Sequence, residues 1–137
     1  MKVKEIMTTD LVTVSMDDTL ETVQEIFDTT AFHHILVVEN GKLTGVVSDR
    51  DYLRSINPNV GTPVETTRDS STLQKKVHQI MSRELVILKK DAEIYDAVRL
   101  FNNHNISCIP VIDDENRPVG IISWRDILKS LKMVLVC

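Results

Sequence analysis

The chain has 137 residues, 42% of them hydrophobic and 26% charged, which is the composition of one compact soluble domain with a core of its own. A formal net charge of −4 and only six aromatic residues argue against nucleic-acid binding, and the apolar run at 133–137 is too short to span a membrane. Its two cysteines make no disulfide framework and fit a reducing cytosol, so we expect a cytoplasmic protein.

Hydrophobic periodicity in the first 56 residues predicts the order strand, helix, strand, strand, helix. The first helix begins at the cap-and-acid pattern Asp18-Thr19-Leu20-Glu21, and two apolar runs around Asn40-Gly41 are typical of a β-hairpin. The predicted elements are a strand at 11–14, an apolar helical stripe at 20–27, hairpin strands at 35–38 and 43–47, and a helix at 51–56.

Residues 57–76 form a linker, because Asn57-Pro58, Gly61 and Pro63 are typical of turns and loops. Two interpretations stay open for it, a plain surface connection and a contact in a dimer. From residue 73 to residue 81 the pattern predicts a short helix.

The second half of the chain repeats the first. A shift of 74 residues matches Val3 with Val77 and Met7 with Met81, and one residue inserted in the second hairpin turn then matches Asp51 with Asp126. The second copy has its strand at 85–88, its helical stripe at 94–101, its hairpin strands at 109–112 and 119–122, and its helix at 126–131. We expect two units, 1–56 and 77–137, that are too small to stand alone and pack on each other.

Each hairpin runs into the same motif, Gly, two apolar residues, Ser, x, Arg, Asp, at 45–51 and at 120–126. A helix start exposes N–H groups that suit a phosphate, and an arginine fork matches phosphate oxygens. An ionised aspartate can hold the two hydroxyls of a ribose. The other interpretation is that the serines cap the helices and the charged residues are surface groups. The spacing alone leaves both open.

The tandem pattern resembles a pair of cystathionine-β-synthase (CBS) domains. The resemblance rests on Val-x-x-Ile-Met at 3–7 and 77–81, on Ile109-Pro110-Val111, and on the two Ser-x-x-Asp motifs. It implies an α/β fold of two pseudo-symmetric units, each β-α-β-β-α, packed through their sheets with the helices outside and with two clefts between them. It also implies a regulatory protein that binds AMP, ADP, ATP or S-adenosylmethionine and acts on a neighbouring or partner protein.

By position, the resemblance implies a role for each residue of the two clefts. In one cleft Asp51 would hold the ribose, Ser48 and Arg50 the phosphate, and Val46, Val86 and Ile106 the base, beside Met81 and Ser107. The other cleft would use Ser123, Arg125, Asp126, Met7, Val12, Phe32, His33 and Ile121.

The first copy departs from the pattern, with Leu36 in place of Pro110 and His33-His34 in place of Ser107-Cys108. Bulky Phe32 and His33 would narrow the second cleft, or His33 would add a phosphate or base contact. The Ile106 cleft is therefore the one expected to be occupied, and Pro110 is counted in the predicted binding set.

Metal binding and catalysis find no support in the sequence. The histidines and Cys108 lack the spacing of zinc ligands, and His34 and Cys108 fall at equivalent positions of the repeat. No nucleophile elbow or Walker loop is present. We therefore expect a sensor that forms a homodimer through its helix faces. A ligand-free dimerisation module is the alternative, and an enzyme is a third option that no motif favours. We expect residues 133–137 to continue the last helix onto the core or a dimer partner.

Overall fold

The computed structural model describes residues 1–56 and 71–136, with side chains up to Leu131. Its elements follow the predicted order in both copies. The strands are β1 (Thr13–Val14), β2 (His34–Glu39), β3 (Lys42–Ser48), β4 (Leu88–Lys89), β5 (Cys108–Ile112) and β6 (Pro118–Ser123). The helices are α1 (Leu20–Thr29), α2 (Asp49–Ser55), α3 (Ile94–Asn103) and α4 (Trp124–Val136). The last helix continues to Val136 as predicted, while the packing of its final side chains lies outside the described part.

The strand before α1 and the strand before α3 are shorter than predicted. Only Thr13 and Val14 of the predicted strand 11–14 pair with β2. In the second copy the strand is Leu88–Lys89 rather than 85–88, because only these two residues pair with β5. The apolar run therefore predicts the position of each short strand. The length of the strand is set by its pairing with the middle strand, which involves only two residues.

The segment before the second copy also differs from its prediction. Instead of one helix over 73–81, it forms two 3₁₀ turns, Ser71–Gln74 and Val77–Gln79. The two interpretations of the linker, a surface connection or a dimer contact, fall largely on residues 57–70 and lie outside the described residues.

Two three-stranded sheets, β1-β2-β3 and β4-β5-β6, are built in the same way. In each, the short first strand lies parallel to the middle strand. Asn40 and Gly41 have φ values of 52° and 78°, as a two-residue hairpin turn requires. The longer second turn is held by the Asp113 carboxylate, which accepts hydrogen bonds from the N–H groups of Glu115 and Arg117, both at 2.9 Å. The fold class expected from the sequence is therefore confirmed.

The chain divides into two compact units that do not follow the two repeats. The first unit comprises Val12–Asn40 and Thr44–Leu85, and the second comprises Met1–Leu11, Gly41–Leu43 and Val86–Cys137. The opening segment of each repeat therefore belongs to the unit built on the helices of the other repeat.

Each opening segment is anchored by a fully buried valine. Val3 packs in the core of the second unit with Ile109 and Ile122. Val77 packs in the core of the first unit, whose other members are Val14, Leu20, Val23, Ile35, Val37, Val47, Tyr52 and Met81. Burying a side chain of this size contributes roughly 1.5–3 kcal/mol, so the valines fix both segments in place.

Equivalent backbone hydrogen bonds support the two valines. Val3 N–H donates to the Ala92 carbonyl at 2.9 Å, and Val77 N–H donates to the Asp18 carbonyl at 2.8 Å. Ala92 and Asp18 occupy the same position of the repeat. The two repeats thus exchange their opening segments, since each segment lies in the unit built on the other repeat. Equivalent contacts hold the exchanged segment in both units.

Candidate functional site

The first Ser-x-Arg-Asp motif lies where β3 ends and α2 begins. Ser48 N–H donates to Asp51 Oδ2 at 3.0 Å, and Asp51 N–H donates to Ser48 Oγ at 3.0 Å. This reciprocal pair is a capping box, which satisfies two backbone donors that the helix start would otherwise leave without partners. Both side chains are half-buried.

The second motif has the same arrangement between β6 and α4. Ser123 N–H donates to Asp126 Oδ2 at 2.8 Å, and Asp126 N–H donates to Ser123 Oγ at 3.2 Å. One contact differs, because the Ser123 hydroxyl also donates to Asp126 Oδ2 at 3.1 Å. The hydroxyl proton is thus already used within the second motif.

The arginine of each motif points away from the core. Arg50 and Arg125 are exposed, and neither forms an ion pair with any other residue that the structure describes. Each turn therefore presents a planar cation beside a half-buried carboxylate. Such a pair of groups can bind a phosphate and a neutral diol on the same small molecule.

A methionine from the opening segment packs onto the glycine of each motif. In the first unit, a Cβ on Gly45 would lie 2.7 Å from Met81 Sδ, and in the second unit a Cβ on Gly120 would overlap Met7. Because no other residue lacks a Cβ, glycine is needed at both positions for this approach. Two of the predicted site residues, Met81 and Met7, thus lie next to the motifs to which they were assigned.

Backbone bridges next to these methionines hold the apolar residue that follows each glycine. Val46 and Ser82 exchange two hydrogen bonds of 3.1 and 2.9 Å, and Thr8 and Ile121 exchange two of 2.9 Å. Sequence reasoning missed Thr8 and Ser82. A sign was present, since a hydroxyl residue follows the repeated methionine in both copies.

The remaining predicted residues are divided between the units. In the first unit Val12 and Phe32 are half-buried and His33 is exposed. In the second unit Val86 and Ile106 are half-buried, and Ile106 packs against the core. There Ser107 is exposed, while Pro110 is buried in β5 opposite Ile121.

A side-chain contact between His33 and Asp49, beside the first motif, was also not predicted. His33 Nδ1 lies 2.9 Å from Asp49 Oδ2, and Asp49 N–H donates to the His33 carbonyl at 2.9 Å. The repeat gave no sign of this pair, because the second copy has Ser107 and Trp124 at the two positions. His33 is therefore held at the start of α2 by two contacts.

His34 and Cys108 each begin the middle strand of a sheet, and burial disfavours the charged form of both. Burial lowers the pKa of His34, and the negative charge of Asp49 offsets part of that effect. Burial raises the pKa of the Cys108 thiol to about 12, so this free thiol is neutral at physiological pH. Among the described residues, no group of three or more His, Cys, Asp or Glu side chains could hold a metal ion.

We expect the lowered pKa of His34 to make the protein lose stability on mild acidification. Above the ordinary pKa of 6.5, both folded and unfolded His34 are neutral and this group contributes nothing to the pH dependence. Below it, the unfolded chain gains a proton that the folded chain does not, so unfolding becomes easier. The melting temperature should therefore fall between pH 7.5 and pH 5.5, and this fall should be larger for the wild type than for His34→Gln. An equal fall in both would contradict this assignment.

None of the helices in the described part of the chain has the length and apolar character to cross a membrane.

A family profile of the CBS domain matches residues 3–58 and 77–133. Inosine-5′-monophosphate dehydrogenase of Methanocaldococcus jannaschii is 34% identical over 132 residues, which are 96% of this chain and 24% of that protein. The chain spans less than half the length of the first curated relatives it matches.

Two solved structures share the fold over nearly their whole length. The CBS domain pair of protein MJ0100, in complex with methylthioadenosine and S-adenosylmethionine, has a TM-score of 0.78 at 23% identity, covering 96% of each chain. CBSX2 in complex with AMP has a TM-score of 0.80 at 21% identity, covering 97% of each chain. At identities this low, the two structures show only that the fold is shared. The family is shown by the profile, which matches both repeats. The chain belongs to the CBS domain family, and its two repeats are two CBS domains.

Proposed function

We propose that this protein is a regulatory module that binds an adenosine-type ligand at its Ser-x-Arg-Asp turns. The ligand class comprises AMP, ADP, ATP and S-adenosylmethionine. The observation that carries the proposal is the turn itself, present twice, with an exposed arginine beside a half-buried aspartate. Further support comes from the fold neighbours, which were solved with AMP and with S-adenosylmethionine.

In the first turn, each side chain has a distinct task toward the ligand. Asp51 uses Oδ2 in the capping box, so we assign its other oxygen to the ribose hydroxyls. Arg50 pairs with the phosphate. Ser48 Oγ accepts from Asp51 N–H, and its hydroxyl proton is left to donate to a phosphate oxygen while the cap stays intact.

The first turn is better suited to a phosphate than the second. In the second turn the Ser123 hydroxyl already donates to Asp126, so binding a phosphate there requires that bond to break. We therefore propose that the Ser48 turn binds the nucleotide more tightly. Asp126 and Arg125 would contribute a second, weaker position.

A ligand-free dimerisation module is the second candidate function. It is favoured by the capping boxes, in which serine and aspartate satisfy each other without a ligand. In both functions we propose a homodimer formed through helix faces, because Trp124, Leu128 and Leu131 on α4 are 56%, 52% and 47% exposed. The regulated target would be a partner protein or the oligomer itself.

A thermal-shift screen with AMP, ADP, ATP, S-adenosylmethionine and GTP, followed by calorimetry, tests the ligand-binding function. A ligand at 100 times its dissociation constant adds about 2.7 kcal/mol of stability, which gives a clear rise in melting temperature. We expect a saturable rise with at least one adenosine ligand and none with GTP. No rise with any of them at millimolar concentration would favour the ligand-free module.

A further inference from the structure

The opening segment of the first repeat, residues 1–11, is held by apolar contacts with the rest of the second unit. Val3 is fully buried in the core of that unit, and Ile6 packs against the same core. Met7 packs onto Gly120, where a Cβ would overlap its side chain. The segment therefore fits a preformed place on the second unit, as a bound peptide would.

Polar contacts fix the register of the segment on the same unit. Lys2 Nζ lies 3.0 Å from Glu93 Oε1, and Lys4 Nζ lies 3.2 Å from Asp91 Oδ1. The backbone bridge of Thr8 described above pairs the other end of the segment. Ion pairs between exposed side chains contribute little to stability, so burial supplies most of the binding. We call the residues that hold the segment its docking site: 91–94, 109 and 120–122.

The connection from this segment to β1 makes few contacts of its own. Thr9 and Asp10 are exposed, and neither takes part in a backbone hydrogen bond or an ion pair within the described part of the chain. After them the chain enters the first unit at Val12. The docking contacts therefore do not depend on which chain supplies the segment.

We propose that the docking site also binds the opening segment of a second copy of this chain, so that two copies exchange residues 1–11. Every docking contact is kept in such a pair, because the same residues meet across two chains instead of within one. Tethering favours the chain's own segment at low concentration, and mass action favours the exchange as the concentration rises. A reciprocal exchange fills both docking sites and closes the assembly at two copies.

The exchange changes which chain completes the second Ser-x-Arg-Asp turn. Met7 and Thr8 hold Gly120 and Ile121 at the start of that turn, so a second copy would supply these two supporting residues. The exchange itself needs no ligand. Only its consequence for the turn rests on the ligand-binding function proposed above.

Two variants of the full chain that complement each other test the exchange. Val3→Asp spoils the segment and leaves the docking site intact, whereas Gly120→Val fills the space of Met7 and leaves the segment intact. The two chains are unfolded together in urea, refolded as a mixture, and followed by amide hydrogen exchange with mass spectrometry. Because one substitution lies in β6, the β6 peptides of the two chains differ in mass and are measured separately.

We expect each variant alone to lose protection in β6. In the mixture, protection should return in the Val3→Asp chain only, because that chain has the intact docking site and its partner supplies an intact segment. The recovery should increase with protein concentration, since the contact joins two chains. The matched control mixes Val3→Asp with a chain carrying both substitutions, which offers no intact segment and should restore nothing.

No recovery in the Val3→Asp chain, recovery in both chains, or an equal recovery with the control overturns the exchange. Val3→Ala repeats the test with a cavity in place of a buried charge, so a result is obtained even where Val3→Asp fails to refold. Its β6 protection should also rise when the Gly120→Val chain is added. Ligand binding is measured on the wild type by calorimetry, so a failed exchange and a failed ligand-binding function are distinguished.

Discussion

Asp51→Asn should lower the affinity for an adenosine ligand by about 100-fold and leave the melting temperature of the free protein almost unchanged. Hydrogen bonds to a charged group contribute about 1.5–3 kcal/mol each. In the variant, the two ribose hydroxyls no longer donate to a charged carboxylate. The asparagine side chain keeps an oxygen that can accept from Ser48 N–H, so the cap on α2 survives. Calorimetric titration with the ligand found by thermal shift measures the change.

Two further variants separate the roles of Asp51 in binding and in capping. Asp51→Ala should lose the same affinity and also about 1 kcal/mol of stability, because it removes half of the capping box. Asp49→Asn changes the adjacent acidic residue, which pairs with His33, and should bind the ligand as the wild type does. Wild-type affinity in Asp51→Asn, or an equal loss in Asp49→Asn, would refute the ribose assignment and favour a purely structural cap.

Val3→Asp should unfold the second unit, although Val3 belongs to the first repeat. Val3 is fully buried in that unit, and an unpaired charge there costs about 4 kcal/mol or more, a large share of the stability of a small domain. Amide hydrogen exchange should show lost protection first in β5 and β6. The fluorescence of Trp124, the single tryptophan, reports on the same unit.

The control for this prediction is Thr9→Asp, which adds the same charge at an exposed residue of the same opening segment. We expect protection and fluorescence to stay as in the wild type. If Val3→Asp instead removes protection from β2 and β3 while β5 and β6 keep theirs, the assignment of the opening segment to the second unit is wrong.

Local patterns predicted the elements well because each depends on neighbours in sequence. Asn40-Gly41 identified the first hairpin, and both residues do adopt positive φ. Strand length was harder, since Leu88 and Lys89 form a strand only through their pairing with β5. That ladder joins residues far apart in the chain, which periodicity does not report.

The candidate site was predictable in its composition and less so in its contacts. The repeated Ser-x-Arg-Asp motif predicted the turn. Its capping geometry is seen only in the structure, because the same residue spacing is compatible with a ligand site or with a helix cap. The repeat shows only what both copies share. Met7 and Met81 could therefore be predicted from the repeat. The His33–Asp49 contact could not, because the second copy lacks both residues.

The exchange of opening segments has a consequence for how such a chain could have arisen. A polypeptide holding one repeat would carry its own Val-x-x-Ile-Met segment, yet the place for that segment is on the helices and hairpin of another repeat. Two such molecules could satisfy each other only by trading these segments, as domain-swapped proteins do. A single-repeat ancestor would thus have been an obligate pair, and gene duplication would have joined in one chain two partners that already depended on each other.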